Sequence, residues 1–104
     1  MIVEFRTYRT KPGKRDEFVA FLEGEALPRM RAVGMTVTGI YTSLDDPDLV
    51  AYSRVWRDAE EKAVKWKAYY ESPDWLGGMF DRSMSLQESF TAFFGEPTDA
   101  SPDR

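Results

Sequence analysis

The sequence predicts an α+β fold built on one four-stranded antiparallel sheet. Three observations predict it. Four segments, near residues 2–10, 35–43, 49–57 and 86–94, read as strands. Two stretches with apolar residues at helical spacing separate the first strand from the second and the third from the fourth. A short Asp- and Pro-rich turn, "LDDPD", makes the second and third strands a hairpin. The order strand, helix, strand, strand, helix, strand is the split βαβ pattern of ferredoxin-like folds.

Each element has its own signals. "MIVEFRTYRT" alternates between two residue sets, and "KPGK" turns the chain after it. Asp16 and Glu17 sit in the first turn of the next helix, where the dipole favours acids. Phe18, Phe21, Leu22, Leu27, Met30 and Val33 form its apolar side, with a kink or break expected at Gly24 and Pro28. Gly34 is placed to stop it. Asp58 and Glu61 stand at capping-box spacing before a helix whose stripe is Ala59, Ala63, Trp66 and Tyr70. Ser72-Pro73 starts a further short helix carrying Trp75 and Met79, weakened by Gly77-Gly78. The expected division is one domain over 1–95 and a loose polar tail over 96–104.

Composition removes several function classes. With no Cys and no His, the chain has no thiol nucleophile, no Ser-His-Asp triad and no imidazole to hold zinc or haem. No metal and no cofactor is expected. A net charge of −4 argues against a nucleic-acid partner. No apolar run reaches the length of a membrane span, and the start lacks the apolar core of a secretory signal. No membrane partner and a cytoplasmic location are therefore expected.

The first strand poses the functional question. Ile2, Glu4, Arg6 and Tyr8 share one face, and on the third strand Val50, Tyr52, Arg54 and Trp56 match them. Val3 and Phe5, with Ala51, Ser53 and Val55, suit the face beneath the helices. The charged and aromatic set is then left on the open face, where such a patch marks an interface or a ligand groove. Two sheets meeting face to face would close a barrel across a twofold axis, giving a homodimer.

The residues at this point resemble a known family. "MIVEFRTYRTKPGKRDEF", "DDPDLVAYSRVWRDAEEK" and "YYESPDW" are similar to the start, the hairpin turn with its strand and helix, and the Tyr-Pro-Trp segment of NIPSNAP domains. The matches run in order over about residues 1–76, and the last strand matches weakly. The resemblance implies a dimeric α/β barrel and no assigned reaction. Broader relatives of that barrel include cofactor-independent monooxygenases, isomerases and haem degraders, the last commonly using a His that this chain lacks.

The candidate site follows. Glu4, Arg6 and Arg54 can bind an anionic or carbonyl group, with Glu4 or Tyr8 as acid or base and the two arginines as charge stabilisers. Tyr8, Tyr41, Tyr52 and Trp56 can line a pocket for a small organic molecule of aromatic or polyketide-like type. The opposing reading is a non-catalytic binding or interaction module whose charges only fix the dimer and whose aromatics only pack. Trp66, Tyr70 and Trp75 read as helix-to-sheet core. Asp45, Asp46 and Asp48 read as a solvated turn, because the Gly and downstream Glu of a calcium loop are missing.

Overall fold

The computed structural model describes residues 1–101. Strand β1 spans Ile2–Thr10, β2 Thr36–Thr42, β3 Leu49–Trp56 and β4 Gln87–Gly95. They form one antiparallel sheet in the order β2-β3-β1-β4. This is the α+β arrangement of a ferredoxin-like fold. Helix α1 is Arg15–Phe21, α2 Leu27–Ala32, α3 Ala59–Tyr70 and α4 Phe80–Leu86.

Helices α1 and α2 are one rod joined through a π turn at Leu22–Ala26, where the Leu27 amide donates to the Leu22 carbonyl. The expected break at Gly24 and Pro28 therefore takes the form of a widened turn. Pro28 has no amide to donate, and a wider turn upstream accommodates it without ending the helix. The rod ends in a Schellman motif. Gly34 (φ 88°) donates to the Arg31 carbonyl at 2.9 Å, and Met35 donates to the Met30 carbonyl at 3.0 Å. The Asp58 carboxylate caps α3 by accepting from the Glu61 amide at 2.8 Å. Ser72 accepts from the Trp75 amide at 3.2 Å and starts the next turn. Gly78 (φ 145°) then redirects the chain into α4.

The sheet faces are the reverse of the sequence expectation. Glu4, Arg6, Tyr8, Val50, Tyr52, Arg54 and Trp56 are all buried against the helices. Tyr8 meets Phe18 with ring centroids 5.1 Å apart, and Trp56 meets Trp66 at 6.3 Å. The open face carries Val3, Phe5, Thr7 and Arg9 of β1, with Ala51, Ser53 and Val55 of β3 and Phe93 of β4 beside them. Burial of charge is permitted here because the charges pair internally.

The "LDDPD" turn is tied to the start of α1. Asp46 accepts from Arg9 at 2.9 Å, and Asp48 accepts from the Gly13 amide at 3.1 Å. Arg15 donates to the Ser43 and Asp46 carbonyls. In the expected tail, Ser101 donates to the Thr98 carbonyl, and residues 102–104 lie outside the described residues.

Candidate functional site

The antiparallel register places Glu4 opposite Arg54, Arg6 opposite Tyr52 and Tyr8 opposite Val50. The five polar residues in those pairs form a continuous network. Arg54 grips Glu4 with both forks, Nε to Oε1 and Nη2 to Oε2, each at 2.9 Å. Arg6 Nη1 donates to Oε2 at 2.8 Å, and Trp56 Nε1 donates to Oε1 at 3.3 Å. Arg6 Nε also donates to the Tyr8 hydroxyl at 2.8 Å, which lies 3.2 Å from that of Tyr52. Arg54 Nη1 donates to the Tyr70 hydroxyl at 3.0 Å.

Burial alone would raise the Glu4 pKa. The bonds and charge of Arg54, and then those of Arg6, overturn this and hold it below the ordinary 4.5. Glu4 is therefore an ionised carboxylate with four donors on it. Burial pushes the Tyr52 and Tyr70 phenols up, so both stay neutral at ordinary pH.

Above this network lies a cavity of about 450 Å³ between the sheet and the helices. Its inner end holds Arg6, Tyr8, Tyr52 and Tyr69, all buried. Its walls include Phe21, Leu22, Met30 and Trp75. Phe80, Met84, Phe90 and Phe94 form its rim and are each about half exposed. The cavity thus has a polar floor, apolar walls and an apolar mouth.

The NIPSNAP family model matches residues 3–102. The chain belongs to the NIPSNAP family. It is similar to an uncharacterised NIPSNAP-domain protein from Burkholderia xenovorans, with 25% identity over 99% of this chain and 100% of that one, at a TM-score of 0.88. A NIPSNAP family protein from Agrobacterium tumefaciens also shows 25% identity and a TM-score of 0.88, covering 99% of this chain and 98% of that one. A Chloroflexus aurantiacus protein provisionally named an antibiotic biosynthesis monooxygenase shares the fold at 20% identity, 97% coverage of both chains and a TM-score of 0.66. No curated protein matches.

Sequence reasoning brought Glu4, Arg6, Tyr8, Tyr52, Arg54 and Trp56 of this NIPSNAP protein together correctly, though on the wrong side of the sheet. Only Arg6, Tyr8 and Tyr52 of that set line the cavity. Glu4, Arg54 and Trp56 stand behind it, each fully buried. Tyr41 is 62% exposed, on the open face opposite Ala51. Strict alternation from the inward Val37 would point Tyr41 inward as well. A β-bulge between Val37 and Gly39 adds one residue, which turns Ile40 inward and Tyr41 out. Trp66, Tyr70 and Trp75, read as plain core, are wall residues of the cavity as well. Tyr69 was missed because nothing in its spacing separates a wall residue from a core one.

Proposed function

We propose that this NIPSNAP protein binds a small organic molecule with an aromatic-sized apolar body in the cavity between its sheet and helices. The cavity carries the reading: about 450 Å³ within one chain, aromatic walls, and a few convergent polar groups at the inner end. Arg6 and Tyr8 would meet the polar end of the molecule, while Glu4 and Arg54 hold Arg6 in place. If the molecule is turned over, cofactor-independent oxygen chemistry or isomerisation of an enolisable substrate suits this arrangement. Arg6 would offset charge developing on an enolate oxygen, and the Tyr8 hydroxyl would exchange the proton. The Chloroflexus protein supports the fold and leaves the reaction to experiment.

The homodimer belongs to the same proposal, through the open sheet face, which carries Val3, Phe5 and Phe93 in place of the expected Glu4, Arg6 and Tyr8. Phe5 and Phe93 stand 52% and 66% exposed at its centre, their rings 6.2 Å apart. Among the described strand positions on that face of β1 and β3, Arg9 at its end is the one charged side chain. A second copy laid across this face would cover both phenylalanines.

One observation favours the non-catalytic module instead. Glu4 is saturated by donors and does not reach the cavity, which is what a purely structural ion network requires. Calorimetry with 2-naphthol as probe tests the cavity. Ala92 pairs with Arg6 across β1 and β4 and lines the cavity from an exposed position. We expect one naphthol bound per chain, and loss of that binding in Ala92→Trp. Unchanged binding by the variant would place the probe elsewhere and overturn the reading.

A further inference from the structure

The charge balance of the cavity points to the class of ligand. Among the described residues, Arg6 is the single charged one lining it, and no acid lines it. Behind it, Arg6 and Arg54 share the one carboxylate of Glu4. Two guanidiniums against one carboxylate leave one buried positive charge in excess among the described residues, faced by rings such as those of Tyr8, Phe90 and Trp66 rather than by a second carboxylate, in a chain whose net charge is −4. Tyr52 and Tyr70 do not supply the missing anion, since burial keeps both neutral. An uncompensated charge under a roof of helices is costly unless something balances it.

Two further observations lie in the cavity and a third beside its rim. Arg6 uses Nε and Nη1 for its protein partners, and none of the described hydrogen bonds uses Nη2. Tyr69 is 1% exposed and lines the cavity, and among the described residues its hydroxyl is the buried side-chain group without a hydrogen-bond partner. Outside the cavity lining, the Lys62 ammonium lies 4.2 Å from the Trp66 ring centroid and 4.7 Å from that of the rim residue Phe94. No described carboxylate pairs with it. A second cation thus stands beside a rim residue, in addition to Arg6 at the floor.

We infer that the ligand is a monoanion with a planar apolar body, its anionic oxygen set against Arg6 Nη2 and the Tyr69 hydroxyl at the cavity floor. The inference rests on the cavity reading above and adds the sign of the charge. A carboxylate, a phenolate and an enolate all fit this chemistry. The apolar body lies between the aromatic walls, and Lys62 draws the anion toward the mouth.

The test compares two probes of one shape, 2-naphthoate and the neutral 2-naphthamide, by calorimetry at pH 7 on the full chain. The expected result is that naphthoate binds at least about tenfold more tightly, the scale of one charge-assisted bond. Equal affinities would overturn the inference and leave the cavity reading standing. Binding of neither probe would overturn both. Tyr69→Phe removes a hydroxyl that bonds to no described residue, so the fold survives it. We expect that variant to bind naphthoate about fivefold more weakly while its thermal midpoint is unchanged or raised, the loss matching one hydrogen bond. Wild-type affinity for naphthoate in Tyr69→Phe would remove Tyr69 from the site.

Discussion

At the scale of single residues, Glu4 organises the buried face. It accepts two bonds from Arg54, one from Arg6 and one from Trp56. Replacing it by Gln would leave two buried guanidiniums without a counter-charge. Breaking a buried pair in this way costs about 3–5 kcal/mol, so Glu4→Gln should lower the urea midpoint steeply. Acid should erase the difference. The Glu4 pKa is lower in the folded chain than in the unfolded one, because Arg54 and Arg6 outweigh its burial. Its contribution is therefore full above pH 4.5 and is lost as the pH falls through the folded value. Urea midpoints of wild type and Glu4→Gln should converge as the pH is lowered below 4.5. A constant gap down to acid pH would contradict the assignment. The sequence made these neighbours legible, since period-two spacing and antiparallel pairing put Glu4, Arg6, Tyr52 and Arg54 together. Their facing was not legible. The rule that charges turn outward fails where carboxylate and guanidinium satisfy each other inside, and no strand pattern reports that partnership.

At the scale of elements, local signals were reliable where they rest on one or two residues. Asp58, Gly34 and Ser72-Pro73 each act where their chemistry predicts. Asp58→Ala should cost about 1 kcal/mol, the usual value of a lost N-cap, read from the urea midpoint with the cavity probes still binding. Irregularities were the part that could not be read. The π turn at Leu22–Ala26 and the bulge before Gly39 each add a residue to a regular period. Each is stabilised by tertiary packing, which a single segment does not show. The bulge alone decides that Tyr41 leaves the cavity side and Ile40 enters the core. A Cβ at Gly39 would lie 2.8 Å from the Tyr41 hydroxyl oxygen, because the exposed Tyr41 side chain lies back over Gly39.

At the scale of the whole molecule, the two faces of the sheet divide the work. One face holds the ion network and the cavity within a single chain. The other has Phe5 and Phe93 exposed and, among its described β1 and β3 positions, only Arg9 charged, and is the face proposed for a second copy. On the homodimer proposed above, light scattering should read wild type as a dimer and Phe93→Glu as a monomer, while naphthol binding persists in the variant. Loss of binding together with the dimer would mean that the cavity depends on the partner. The arrangement first expected, with Glu4, Arg6 and Tyr8 lining the space between two sheets, makes the opposite prediction for where a ligand sits. A crystal structure of the chain with 2-naphthol decides between them. The naphthol should lie between sheet and helices, against Arg6 and Tyr8 and beneath the rim of Phe80 and Phe90. Naphthol lodged on the open face beside Phe5 and Phe93 would contradict the cavity as the functional site.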